Sequence, residues 1–374
     1  MRGIILILSL VVLTTVQLYA QKVAAANDGG KWGYITQQGE WYIKPQFLKA
    51  SKFSDGMAAV FNGKKWGFID KAGELVIPFT FDRAKRFNSG YAVVYHNEHW
   101  HYIDKTGKSV YLYKSDKIYD FYDGVAFVRK LYKVGLIDTE GKVLVSPYKY
   151  GEISKFHRGY ARFEKDDRYG LIDKKGKEVV KPEYEYLGHY STEGVVVARK
   201  GKVWGVLDIE NNTFTKVENV SKIKDFNKGE SYTYVYGKRQ VNYGVINRKG
   251  EWIVEPVYSS VKRINNNVAP IKIGEGNDWI YINFETGELP FGEKYFSEAL
   301  EYHENGLTAV KDSKWGYMNS KGQYVIEPKY KKATSFTDGV ARVKYKKKWG
   351  LINEQGELVN DMWFDNLEEF NKID

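Results

Sequence analysis

KKWGFIDKAGELVIP, residues 64 to 78, returns as KWGYMNSKGQYVIEP at 314 to 328. A segment of this kind stands at ten places in the 374-residue chain. Aligned on the Trp of its Trp-Gly pair, the anchors are Trp32, Trp66, Trp100, Val134, Tyr169, Trp204, Tyr243, Trp279, Trp315 and Trp349, at intervals of 34, 34, 34, 35, 35, 39, 36, 36 and 34 residues. Self-similarity at such a period marks an array of small units, none of which can bury its apolar face alone.

Each position of the unit has a physical task. Three residues after the anchor an aliphatic side chain always stands, from Ile35 and Ile69 to Met318 and Ile352, which places it in the core. The residue beside the anchor is Gly in eight of ten units, His101 and Ile280 being the exceptions. Glycine weakens a strand, so its recurrence predicts that another backbone or ring packs directly over it. Four residues after the anchor lies Asp or Asn in nine units, for example Asp70, Asp173 and Asn353, and a Gly usually follows three residues later. Asx side chains bond backbone amides two residues on and Gly accepts positive φ, so D-x-x-G is a hairpin turn rather than a catalytic acid or a calcium ligand.

After that turn comes a short apolar strand, closed by Pro in six units, including Pro45, Pro78 and Pro328. Proline cannot donate to a ladder and is expected to end the strand. A connector with an aromatic and a Gly follows, as in Phe53 and Gly56, and then a third strand such as MAAVF at 57 to 61. Each unit therefore reads as three short antiparallel strands.

The pattern KWG-[YFL]-I-[DN]-x-x-G-x-x-V-I-x-P resembles the WG repeat family of bacterial proteins, also called KWG repeats, over roughly residues 22 to 374. The match is weak between 209 and 300, where Asn211 stands for the turn Gly and one interval stretches to 39. The resemblance implies a repeat-built, non-catalytic role and no particular ligand. The array is expected to be all-β, ten three-stranded modules in an open, curved superhelix or solenoid, with a closed β-propeller as the alternative because rings of ten blades are uncommon.

The first 20 residues, MRGIILILSLVVLTTVQLYA, carry one early cation, an apolar run and a terminal Ala, the layout of a secretory signal peptide. KVAAANDGGKWG at 22 to 33 aligns without a gap on GMAAVFNGKKWG at 56 to 67, so cleavage after Ala26 would destroy a strand and cleavage after Ala20 is expected. The domains are thus a signal peptide at 1–20 and the array at 21–374, exported to the periplasm, the cell surface or the medium, with no later stretch apolar enough to span a membrane. Its 57 basic and 47 acidic residues give a net charge of +10, and loss of residues 1 to 20 removes one Arg and no acid, leaving +9. That is too diffuse to argue for nucleic acid. The absence of cysteine excludes disulfides, thiolate metal sites and cysteine nucleophiles.

A basic residue precedes the anchor in six units: Lys31, Lys65, Lys133, Arg168, Lys314 and Lys348. Equivalent positions line up in an array, and such a stripe would meet an anionic glycan, lipid headgroups or an acidic protein. Lysines that keep exposed strands from aggregating explain the same residues. HNEHWH at 96 to 101 holds half of the six histidines, but His101 fills the usual Gly slot and the only acid nearby is Glu98, so no metal is expected. Of the 59 aromatics most recur at core positions, with Tyr111, Tyr113 and Tyr302 as spare rings. No nucleophile motif or phosphate-cradling loop appears, and neither catalysis nor a cofactor is expected. The leading reading is a non-enzymatic repeat protein that presents its surface to a protein partner in the bacterial envelope, the alternative a binder of envelope glycans.

Overall fold

The computed structural model describes residues 21–190, 194–226, 232–237, 242–274, 276, 278–303 and 306–373. The expected signal peptide lies outside these. Among the described residues there is no helix, and the strands form nine antiparallel sheets, the blades of a β-propeller. Nine sheets hold ten repeats because strand Trp252–Val261 runs unbroken from one repeat into the next and joins both in one six-stranded sheet.

The second sheet shows the design. Strands Lys49–Ala50, Met57–Phe61, Trp66–Asp70 and Leu75–Phe81 lie in that order, and Asp82 alone separates the last from Arg83–Ala84, which opens the third sheet. The module has four strands rather than three, since the connector contributes a two-residue strand. Between that strand and the next, Asp55 and Gly56 adopt φ of 58° and 77° while Ser54 and Met57 exchange backbone hydrogen bonds of 2.9 and 3.2 Å. Positive φ at both central residues makes this a type I′ turn, whose twist matches that of the flanking strands. The aromatic-then-Gly signal of the connector is this turn.

The Trp-Gly glycine permits a close approach. A β-carbon on Gly67 would lie 2.6 Å from the Ile77 carbonyl oxygen, and one on Gly33 2.3 Å from that of Ile43. The fourth strand does not end at proline. Trp66 pairs with Phe81 and Phe68 with Ile77, so extra residues bulge over Gly67, and Pro78 sits in the bulge, where no amide is required of it. The two units without this glycine depart accordingly. After His101 the fourth strand shrinks to Ser109–Val110, and after Ile280 no strand follows before Glu298–Ala299, apart from a lone bridge between Trp279 and Phe296.

Both faces of each sheet are covered by neighbours, so the central strands are buried residue after residue, as in Met57 to Val60. Tyr34 and Ala25 of the first sheet pack on Phe53, Ala58, Val60 and Ile69 of the second. The ring two residues after the anchor meets the connector aromatic of the following sheet, with centroids 4.8 Å apart for Tyr34 and Phe53 and for Phe68 and Phe87, and 4.9 Å for Tyr317 and Phe336. Where that ring is tyrosine, its hydroxyl donates to a carbonyl of the next sheet: Tyr34 to Ser51 at 2.6 Å, Tyr102 to Tyr119 at 2.5 Å, Tyr281 to Leu300 at 2.6 Å and Tyr317 to Thr334 at 2.9 Å. Burial pushes these phenols well above their ordinary pKa.

The ring closes, which overturns the open superhelix. Lys22–Asp28, the first of the described strands, stands at a second-strand position, and the neighbour that its own repeat does not provide is supplied by Asn366–Leu367 and Asn371–Lys372. Ala26 pairs with Leu367 and Val23 with Asn371. Ala24, Ala26 and Ile35 bury against Leu351, Phe364 and Leu367, so the closing seam has a core of its own. An open array would leave both apolar edges in water, and joining them removes that cost.

Candidate interaction surface

The anchors are not uniformly core residues: Trp204, Trp279 and Trp315 are buried, whereas others stand nearer the surface. Trp66 is half-buried and Trp100 is exposed, because the anchor lies beside the hairpin tip that precedes it. Cations cover several of the rings, with Lys262 4.1 Å and Lys272 4.8 Å from the Trp279 centroid and Arg162 4.7 Å from that of Tyr169. Such contacts contribute about 0.5–1 kcal/mol each where water has access.

The six basic residues ahead of the anchors all sit at these tips, and three have an acid of their own. Lys65 pairs with Asp82 at 2.5 Å, Arg168 with Glu185 at 3.2 Å and Lys348 with Asp365 at 2.5 Å. Each partner is the residue between a fourth strand and the next sheet. Lys65 and Lys348 hold their aspartates below the usual carboxylate range through these hydrogen bonds. Lys31, Lys133 and Lys314 are exposed, with no acidic partner among the described residues. The stripe is therefore half neutralised, and the pairs lie within single repeats rather than along the array.

His99 and His101 do share a face, their ring centroids 5.1 Å apart, with His96 opposite His99 in register. His99 Nδ1 lies 2.8 Å from the Asn97 carbonyl, burial and the two other imidazoles lower the pKa of His101, and no group of three ligands is placed to hold a metal among the described residues. The acids of D-x-x-G close turns: Asp70 Oδ1 accepts the Glu74 amide at 2.9 Å, and Asp173 Oδ1 those of Lys175 and Lys177 at 2.9 Å each. In the sixth repeat positive φ falls on Asn212, not Asn211. Of the spare rings, Tyr111 is exposed, Tyr113 is partly buried and Tyr302 belongs to the core.

One recurring feature escaped the reading of the sequence. Ten residues after every anchor stands an apolar side chain, Tyr42, Val76, Val110, Leu144, Val179, Phe214, Ile253, Leu289, Val325 and Val359, all but Leu289 on the fourth strand. None is buried, and Val76, Val179 and Val325 are 44, 38 and 45% exposed. The signal was present, since these residues adjoin the buried Ile77, Val180 and Ile326 and strand alternation turns them outward.

Fold and surface together define a closed propeller built from one repeated module, with its conspicuous groups on blade rims and outer strands. The chain belongs to the WG containing repeat family, which matches residues 32–66, 66–100, 102–133, 135–169, 169–204, 243–276 and 315–349, well over half of its length. A crystal structure of the eukaryotic initiation factor superposes with a TM-score of 0.52 at 8% identity, over 94% of this chain and 97% of that one, a likeness of fold alone. Hsv2p of Kluyveromyces lactis gives a TM-score of 0.35 at 13% identity, over 69% of this chain and 98% of its own. PorZ of Porphyromonas gingivalis, described as a bacterial surface component of the type-IX secretion system, gives 0.25 at 9% identity, over 93% and 60%. No curated protein matches the chain in sequence.

Proposed function

We propose that the chain is an exported, non-enzymatic propeller that binds a protein partner in the bacterial envelope through the fourth strands of its sheets. The observation that carries this reading is the row of outward apolar residues, of which Val76, Val179 and Val325 are the most open. A monomer gains nothing from water-exposed valines repeated at one position, whereas a partner that covers them gains about 25 cal/mol per Å². Apart from Trp252–Val261, which is paired on both sides, the fourth strand is also the free edge of its sheet, with backbone groups available to an added strand. Export rests on residues 1 to 20, and the non-enzymatic reading on acids engaged in turns. Among the described residues no helix is long and apolar enough to cross a membrane.

A photo-cross-linking residue placed at Val179 or Val325 in the producing bacterium tests the reading. One discrete protein adduct is expected, lost when Val76, Val179 and Val325 are changed to Lys in a variant that melts as the parent does. Adducts that survive this change, or recognition of envelope glycans without any protein adduct, would sink it. Mature protein beginning at Gln21 is the matching result for export.

A further inference from the structure

Four of the hairpin tips ahead of the anchors are two-residue turns with both residues at positive φ, so each serves as a control for the others. Gly29 and Gly30 fill one, Asn97 and Glu98 another, Asp166 and Asp167 a third, all at positive φ. Glycine, Asn and Asp are the residues that best tolerate this backbone. In the fourth repeat the same two positions hold Leu131 and Tyr132, at φ of 45° and 69°. A bulky side chain there is disfavoured, and packing does not offset it, since Leu131 is 72% and Tyr132 84% exposed. The fold thus works equally well with better residues, and this tip carries worse ones.

The tip is held in place. The Leu131 amide donates to Asp116 Oδ2 at 2.8 Å, and the Arg129 guanidinium lies 5.2 Å from the centre of the Tyr132 ring. Lys130 flanks it on one side, 3.7 Å from Asp116, and the exposed Lys133 on the other. We propose that this tip is a wedge that docks the propeller on an anionic lipid bilayer. Leu131 enters the acyl boundary, Tyr132 lies at headgroup level, and Lys130 and Lys133 meet phosphates. A two-residue turn is convex and offers no groove to a partner. The equivalent tips bring the exposed Lys31, Lys314, Lys346 and Lys347 to the same rim, whereas Lys65 and Lys348 are paired with Asp82 and Asp365, and Glu98, Asp166 and Asp167 lie in the two neighbouring tips. A flat anionic surface meets that rim as a whole, whereas an apolar pocket on a protein would meet a single tip. This surface is separate from the outward row of the fourth strands.

The test uses the mature chain and flotation with vesicles of phosphatidylcholine alone or with about 30% phosphatidylglycerol, at low and at about 0.15 M salt. Flotation with the anionic vesicles only is expected, weaker at the higher salt. The double variant Leu131→Asn, Tyr132→Gly places a preferred type I′ pair at the tip, so it should melt no lower than the parent while its vesicle affinity falls by about tenfold or more. Because the chain has no cysteine, Leu131→Cys carries a single environment-sensitive dye, whose emission should brighten and shift to the blue with anionic vesicles. Equal flotation of parent and variant would mean that net charge alone attracts the chain. Absence of flotation, dye emission that ignores the vesicles, or a protein adduct formed from position 132 in their place would overturn the wedge.

Discussion

The backbone amide of Asp365 donates to the carbonyl of Asn27 over 2.8 Å, joining two residues at opposite ends of the array. Glu368 repeats the contact with Ala25 at 2.9 Å, and Asp365 also accepts the Gly29 amide on its carboxylate at 3.1 Å. The last residues of the chain therefore belong to the first blade.

Leu367, 1% exposed in the closing seam, should be costly to truncate. Leu367→Ala is expected to destabilise by about 2–5 kcal/mol, as buried leucine truncations do, and denaturant unfolding measures it. A change below the error of the midpoint would place the seam outside the cooperative core.

Gly67 gives a second test. Its β-carbon would stand 2.6 Å from the Ile77 oxygen, so Gly67→Ala must push the bulged fourth strand away, at about 1–3 kcal/mol. Gly67 is not at positive φ, so the close approach alone sets this cost, and an alanine variant as stable as the parent would mean that close packing does not explain the Trp-Gly pair.

The tyrosine contacts between blades make their own prediction. Tyr317→Phe removes the donor to the Thr334 carbonyl but keeps the ring against Phe336, a combination that Phe68 and Phe87 already show. The expected loss is about 0.5–1.5 kcal/mol. A loss as large as that of Tyr317→Ala would assign the stability to the hydroxyl rather than to the ring.

Acid should weaken the ring before the carboxylates titrate. Burial lowers the pKa of His303, with Glu301 opposing and Arg263 adding to the effect, and burial followed by the neighbouring His189 lowers that of His157. A histidine depressed in the folded state takes its proton first in the unfolded chain, so its contribution is present above about pH 6.5 and is lost as pH falls. Melting temperature should drop between about pH 7.5 and 5, and His303→Phe should flatten the slope. Asp82 and Asp365, held low by their lysines, add a loss of the same sign only near and below about pH 4. A melt that rises toward pH 5 would contradict this assignment.

Much of the blade was legible in the sequence, for local reasons. The aliphatic residue after the anchor, the Asx-Gly turn and the close approach at Gly67 each follow from one residue and its neighbours. The first strand was not, because Lys49–Ala50 is too short to carry a periodicity. The proline was misread because the bulge that tolerates Pro78 is created by the partner strand. Closure joins residues over 300 positions apart, as in Ala26 with Leu367, a pairing that no local pattern carries. On the surface, the six cations were found but not the acids that neutralise three of them, and Leu131 with Tyr132 passed as ordinary residues until their backbone was seen.

Closure itself is tested most directly by a distance between the chain ends. The protein has no cysteine, so Lys22→Cys and Lys372→Cys can be spin-labelled without background and measured by electron double resonance. These residues are paired across the closing strands, which places their backbones about 5 Å apart and the labels within about 20 Å of each other. An open array of sheets stacked about 10 Å apart would separate the same labels by more than about 50 Å. A short, narrow distance is the result the propeller requires, and a long one would contradict it.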